Sequence, residues 1–296
     1  MTSETRQTLG RIGIWSGALR GSGTDDAGRK AIAEAVAELE ELGYGTLWLG
    51  GNPSPDDAVA VLAATRTVTV ATGILSIWEH TAEEVAARIA ALDAGERERF
   101  VLGLGVSHGL LAPQYAKPYS AMVAYLDALD AATASSGGGR RVLAALGPKM
   151  LKLAADRASG AHPYLVTTEH TAEAREALGP DALLAPEVSV VLDTDLDRAR
   201  TTARNMLSLY LKLPNYTNNL LRLGFSESDF EEGGSVRLLD GLFALGDAER
   251  VRARTREYFD AGADHVALQV LTAEEGGAGL PRPEWRELAE VFGDEL

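Results

Sequence analysis

The sequence predicts an α/β fold, a single (β/α)8 barrel with a helical insertion late in the chain. Short β-like runs alternate with longer stretches of helical period, the pattern of parallel strands joined by crossover helices. Eight such runs are present. No low-complexity linker divides the 296 residues, a length one α/β barrel can occupy.

The expected strands, in order, are Arg11–Trp15, Thr46–Leu49, Val68–Ser76, Phe100–Val106, Arg141–Ala145, Pro163–Thr167, Ser189–Leu192 and His265–Leu271. Between the first two, Ile32, Val36, Leu39 and Leu42 form one stripe of a helix from about Asp26 to Leu42, stopped by Gly43. Thr81 with Glu84 forms a capping box that opens a helix from Ala82 to Ala94, with Val85, Ile89 and Leu92 on one face. The phrase Glu79-His80-Thr81-Ala82-Glu83 recurs as Glu169-His170-Thr171-Ala172-Glu173, 90 residues on. The two phrases are either equivalent turns of repeated βα units or two helix starts written in common capping residues. Ser135 to Gly139 is the stretch expected to be most flexible.

After Leu192 the regular spacing breaks. More than 70 residues precede His265, including a long helix around Asp197–Leu213 and the segment Pro214-Asn215-Tyr216-Thr217-Asn218-Asn219. The expected organisation is a polar tail over residues 1–10, then one domain over 11–296 with its insertion near 195–247. On a barrel, an insertion at the C-terminal face would sit over the mouth, where substrates are selected.

Composition narrows the function. The 28 basic residues against 43 acidic ones give a net charge of −15, opposite in sign to a surface that displaces counterions from nucleic acid. With 46% hydrophobic and 24% charged residues the chain can bury a large core. The absence of cysteine excludes disulfides, thiolate metal sites and cysteine nucleophiles. The five histidines show no ligand spacing, so no metal site is expected. The N-terminus lacks the apolar core of a signal peptide, and no window is long and apolar enough for a membrane span. A soluble, cytoplasmic protein that binds neither nucleic acid nor membrane is expected, and a homodimer stays open.

Three segments carry chemistry. Gly105-Val106-Ser107-His108-Gly109 matches the nucleophile elbow of serine hydrolases, with Ser107 as nucleophile and Asp193 and His265 as partners. Against it, Pro113 opposes the helix that must follow, and His265 opens a strand. Gly103-Leu104-Gly105 is a poor dinucleotide fingerprint, since Gly109 falls one position late; it reads better as strand glycines that let a planar ring or a backbone approach closely. Ala145-Leu146-Gly147-Pro148-Lys149-Met150 ends a strand and opens a helix with proline at its first position, leaving free N–H groups that would stabilise an anion such as a cofactor phosphate, with Lys149 assisting. His108 and Trp48 each lie at a strand's C-terminal end, where barrel enzymes keep their chemistry; the plain alternatives are a surface histidine and a core aromatic.

Gly43-Tyr44-Gly45-Thr46-Leu47-Trp48, Ala71-Thr72-Gly73-Ile74-Leu75, Phe100-Val101-Leu102-Gly103-Leu104-Gly105 and Gly147-Pro148-Lys149-Met150, in this order and spacing, resemble the luciferase-like monooxygenase family. This is the bacterial-luciferase type of TIM barrel, and the likeness is strongest to its deazaflavin (coenzyme F-420)-dependent branch. The resemblance implies a strand bulge at Gly73-Ile74, often with a non-proline cis peptide, against the back of an 8-hydroxy-5-deazaflavin ring, with Leu75 adjoining. It also implies Ser107 and His108 beside the ring and substrate, and Ala145, Leu146, Gly147, Pro148 and Lys149 at the cofactor phosphate. There is one departure. Sugar-phosphate dehydrogenases of the family carry Asp-His where this sequence has Gly51-Asn52, and a glutamate where it has His108. Their alcohol-oxidising acid/base set is thus missing, which leaves His108 as the main polar group and Trp48 and Asn52 to shape and orient substrate.

The resulting expectation is an oxidoreductase moving a hydride between the deazaflavin and a small organic substrate. The alternatives are an FMN-dependent monooxygenase, a serine hydrolase through Ser107, and a non-catalytic barrel.

Overall fold

The structure, a computed structural model, describes residues 8–110, 112–134, 139–273 and 279–296. Ser135 to Gly138 of the expected flexible stretch lie outside the described residues, as do residues 1–7 of the expected tail.

The chain runs β1 (Ile12–Ser16), α1 (Asp26–Glu41), β2 (Thr46–Gly50), α2 (Pro55–Ala64), β3 (Thr69–Gly73), β4 (Leu75–Ser76), α3 (Ala82–Ala91), α4 (Ala94–Arg99), β5 (Phe100–Gly105), α5 (Pro118–Thr133), β6 (Arg141–Leu143) and α6 (Pro148–Arg157). It continues through β7 (Gly160–Ala161), α7 (Thr168–Leu178), β8 (Leu183–Leu184), β9 (Glu187–Leu192), α8 (Leu196–Tyr210), α9 (Pro214–Arg222), α10 (Val236–Leu242), β10 (Phe243–Gly246), α11 (Ala248–Asp260), β11 (Val266–Val270) and α12 (Arg282–Phe292). Helix starts are written in the sequence as capping boxes: Ser54 with Asp57, Thr81 with Glu84, and Asp93 with Glu96 each satisfy two end N–H groups reciprocally.

All strand pairs are parallel, in the order β10-β9-β11-β1-β2-β3-β5-β6-β7-β8, with β4 also on β5. Leaving out β10, the strands from β9 round to β8 form a ring of eight once β8 and β9 are seen as halves of one strand. Only Ala185 and Pro186 separate them, and hydrogen bonds from Ala185 N–H to Ala161 and from Glu187 N–H to Pro163 carry the pairing across the gap. The barrel is closed. Val188, Val190, Val266 and Leu268 face the helices, while Leu183, Ala185 and Ala267 pack inside against Trp15, Trp48, Ala71, Val101 and Val142. By strand alternation, Glu187, Ser189 and Gln269 also point inward.

Several expectations need correction. The expected strand Pro163–Thr167 is displaced: pairing runs through Gly160–Ala161 and ends by Pro163, and Leu165 turns away with φ +54. The β-branched and aromatic residues that suggested a strand there instead line the mouth and the α7 start. Strand β10 was not foreseen, being four residues long and reached from inside the insertion. The long helix expected around Asp197–Leu213 is α8, which ends at Tyr210, and α9 begins afresh at Pro214. The recurring phrases are not equivalent: Thr81 caps α3, whereas Thr171 lies within α7, capped by Thr167. Residues 8–10 are not tail. Leu9 is fully buried, and the carbonyls of Thr8, Leu9 and Gly10 accept hydrogen bonds from Thr69, Thr46 and His265, closing the bottom of the barrel.

The insertion has its own apolar cluster, in which Ala199, Ala203, Leu207, Leu213, Tyr216 and Leu220 join Leu238, Leu239 and Leu242. The amphipathic stripes of α8 and α9 are buried there, and the same packing brings Tyr210, Asn215 and Tyr216 to the barrel mouth.

Candidate active site

The site is built from glycines first. At Gly73-Ile74 the backbone makes a non-proline cis peptide, which splits the expected strand Val68–Ser76 into β3 and β4. Neighbouring strand ends leave no room for side chains. A Cβ on Gly50 would lie 2.3 Å from the Trp15 ring, one on Gly103 1.9 Å from the Thr72 carbonyl oxygen, and one on Gly105 2.4 Å from Ile74 Cδ1. The glycines of β5 therefore let the Ile74 bulge lie directly on the sheet, which is the close approach their spacing suggested.

Side chains hold the bulge. Trp15 Nε1–H donates to the Gly73 carbonyl at 2.9 Å, and the Ser76 N–H donates to Asn52 Oδ1 at 2.8 Å. Asn52 takes φ +61, a conformation asparagine tolerates well. Its side chain thus ties the β2 loop to β4. Leu75 is fully buried behind the bulge.

Trp48 is also fully buried, stacked on His162 with centroids 4.1 Å apart and donating to His265 Nε2 at 3.0 Å. It is part of the barrel's packed interior, so the expected substrate contact through Trp48 gives way to support from beneath. His265 Nδ1 donates to Gly10, and burial pushes both His162 and His265 down to about 4. Both rings are neutral near pH 7. His162 donates through Nδ1 to the Ala185 carbonyl, leaving Nε2 without a partner among the described residues, 3.4 Å from where a Gly73 Cβ would stand.

Above this floor an aromatic row crosses the mouth. Trp15 packs on Tyr164 (5.1 Å), Tyr164 on Tyr210 (5.4 Å), Tyr210 edge-on to Tyr216 (5.1 Å), and Tyr216 on His108 (5.3 Å). Tyr210 donates to the Tyr164 hydroxyl, which donates to Gln269 Oε1 at 2.8 Å. His108 is half-buried and its Nδ1 lies 3.1 Å from Asn215 Oδ1. The carbonyl oxygen can only accept, so Nδ1 carries the hydrogen and Nε2 keeps a free lone pair. Burial lowers the His108 pKa, against the smaller opposing effect of Asn215. It is a neutral base at physiological pH.

The phosphate turn is open. Gly147 caps α6 with no side-chain hydrogen bond, Pro148 and Lys149 are exposed, and nothing lies within 4 Å of a Cβ placed on Gly147. Gly147 has φ −95, so its backbone conformation does not itself require glycine. Ala145 is buried, and the Leu146 carbonyl is fixed by His170 Nε2–H at 2.8 Å, which anchors the turn to α7.

The hydrolase constellation is not assembled. Among the described residues no helix follows Ser107 until Pro118, Asp193 is paired with Arg198, and His265 is sealed in the barrel bottom. Ser107 has φ +55 beside the bulge strand. Leu111 lies outside the described residues.

The profile of the luciferase-like monooxygenase family matches residues 11–265. The chain belongs to that family. Among solved structures, the luciferase-like fold is shared with an F420-dependent secondary alcohol dehydrogenase in complex with an F420–acetone adduct (13% identity, TM-score 0.72, covering 95% of this chain and 98% of the other). It is shared too with the coenzyme F420-dependent tetrahydromethanopterin reductase of Methanopyrus kandleri (15%, TM-score 0.74, 97% and 98%). A third is the oxygenating constituent of 3,6-diketocamphane monooxygenase from Pseudomonas putida in complex with FMN (11%, TM-score 0.69, 96% and 97%). A search of curated proteins returns no match. No described helix of this luciferase-like chain is long and apolar enough to cross a membrane, and no group of three or more His, Asp or Glu able to hold a metal ion occurs among the described residues.

The sequence reading missed His162, Tyr164, Glu187 and Gln269. The signal available was the alternation in Glu187-Val188-Ser189-Val190, where polar residues occupy one face of an otherwise apolar strand.

Proposed function

We propose that this luciferase-like protein is a deazaflavin (coenzyme F-420)-dependent oxidoreductase that moves a hydride between the cofactor and a small organic substrate. The observation that carries the reading is the Gly73-Ile74 bulge at the barrel mouth, seated on the sheet because glycines of three strands leave room there for Trp15, Thr72 and Ile74 and none for a Cβ of their own. Gly73, Ile74 and Leu75 would support the back of the ring, and Ser107 would adjoin it. Ala145 to Lys149 would hold the phosphate at the positive end of α6, where the Gly147 carbonyl takes the Met150 and Leu151 N–H groups but not that of Lys149. Bound there, the deazaflavin supplies the hydride chemistry, and the protein supplies position and electrostatics. Two of the structural relatives named above work with F420, which favours the deazaflavin, and one binds FMN, which makes FMN the second reading.

Titrating apoprotein with each cofactor and following ring fluorescence tests the choice. Deazaflavin is expected to bind the more tightly; tight FMN binding without deazaflavin binding overturns the assignment. At the phosphate turn, Gly147→Val is expected to keep the fold, because its φ suits any residue and no atom crowds the new side chain. The valine would fill the anion's space and weaken cofactor affinity about tenfold, the scale of a helix-terminus contribution. Unchanged affinity would make the turn merely structural. Lys149→Ala, at an exposed side chain, should change less.

A further inference from the structure

Below the tyrosine row lies a carboxyl group that the proposed reaction has not yet used. Glu187 is fully buried on an inward position of β9, a place where a carboxylate is retained only with specific support. Its support is incomplete. Ser189 Oγ donates to Oε1 at 2.6 Å and the Leu165 N–H to Oε2 at 3.0 Å, but no lysine, arginine or histidine among the described residues pairs with it.

Its neighbours share one face. The register sets Ser189 directly beside Gln269, and Gln269 is the acceptor of the Tyr164 hydroxyl, which in turn accepts from Tyr210. The Leu165 N–H that Glu187 holds belongs to the residue after Tyr164, so the same carboxyl aims that phenol into the mouth. The titratable groups around it are Tyr164 from the turn after β7, Tyr210 from α8, Tyr216 from α9 and Tyr258 from α11; burial raises the pKa of each, and a negative charge on Glu187 raises it further.

We propose that Glu187 is a positioning residue whose protonation state sets the acidity of the Tyr164–Tyr210 hydroxyl pair facing the substrate. The inference rests on the hydride-transfer reading above. When a substrate gains a hydride at carbon, the adjoining oxygen or nitrogen needs one proton. The Tyr210 hydroxyl turns its O–H from Tyr164 to that heteroatom, the O–H bond breaks as the proton bonds there, and the phenolate recovers a proton from water. A neutral Glu187 leaves the phenols as stronger acids; a Glu187 carboxylate beside them disfavours the phenolate and slows the step. Burial pushes the Glu187 carboxyl up to about 7, so the switch would fall near neutrality.

The first test uses apoprotein and needs no substrate. In wild-type protein labelled with 13C at glutamate carboxyls, NMR should find one carboxyl titrating near pH 7, with the Tyr164 and Tyr210 ring signals shifting in the same step; both should vanish in Glu187→Gln. Tyrosine signals that ignore the carboxyl's titration overturn the proposal. Should Glu187→Gln fail to fold, Ser189→Ala replaces it: losing the hydrogen bond that favours the carboxylate should move the step to higher pH, and an unmoved step overturns the proposal. The second test follows oxidation of bound reduced deazaflavin by an artificial aldehyde, which gains the hydride at carbon and a proton at oxygen. The wild-type rate should fall about tenfold from pH 6 to 8, as for a coupling of about one pKa unit, and the Glu187→Gln rate should stay level. The same fall in both proteins overturns the proposal. Absence of deazaflavin binding to the wild type would instead refute the cofactor reading, leaving the NMR test to decide the coupling.

Discussion

Replacing Glu187 by glutamine is expected to make the protein about 3 kcal/mol more stable, relative to wild type, at pH 8 than at pH 4. The carboxyl's pKa rises from 4.5 to about 7 in the folded barrel because burial penalises its charged form. Between those values the unfolded chain has released the proton while the native chain keeps it. Stability contributed by this raised pKa is fully present below pH 4.5 and is lost as pH rises through 7, at about 1.4 kcal/mol per pH unit. Glutamine does not titrate and loses nothing. The wild type alone would hide the effect, since His162 and His265 act with the opposite sign. Their pKa values fall to about 4, so their stability is present above 6.5 and lost as pH drops through 4. Both histidines are common to the two proteins, so the difference in urea unfolding free energy cancels them. A difference that does not change with pH would mean that Glu187 is charged and well solvated in the native state.

The fold was largely legible because the barrel's regular half is written in three separate codes. Inward glycines, runs such as Thr46-Leu47-Trp48-Leu49 and capping pairs such as Thr81 with Glu84 act locally and point to the same answer. Legibility fails where an element is held from afar. Gly160–Ala161 is too short to show a period, and the turn that ends its pairing depends on Leu165 donating to Glu187, 22 residues on. The family profile and the fold agree with the resemblance carried by Gly73-Ile74 and the Phe100–Gly105 glycines.

The site was harder to read for the same reason. Trp48 sits at a strand position that looked like a rim and is interior, because the residue's depth depends on barrel shear and on His162 stacking from across the ring. Asn52 was expected to orient substrate, and its side chain holds Ser76 instead; its effect on substrate would pass through the bulge. Tyr210 and Tyr216 come from the insertion, whose docking on the mouth no local pattern encodes.

His108→Ala is expected to lower turnover by about 10²–10⁴ while cofactor affinity stays within a few fold. His108 stands beyond β5, beside Ser107 and against Tyr216, where the sequence resemblance sets it against an acid/base glutamate. Its Nδ1–H is held by Asn215 from α9, which fixes the ring and leaves Nε2 as a free acceptor. Burial depresses its pKa, so this acceptor stays neutral to lower pH than an ordinary histidine. A group so arranged accepts a proton from an alcohol as hydride leaves the adjoining carbon. The pH dependence follows from the sign of the shift: the oxidative rate should hold at neutral pH and fall only on acidification through the lowered pKa. Asn215→Ala should weaken turnover less than His108→Ala and move the acidic limb, because the imidazole loses the partner that orients it and supports its protonated form. Steady-state rates of the two variants, with cofactor affinity measured separately by fluorescence, check the set. If His108→Ala keeps wild-type turnover, the proton must come and go through the tyrosine row, and the histidine serves only to pin the insertion to the barrel.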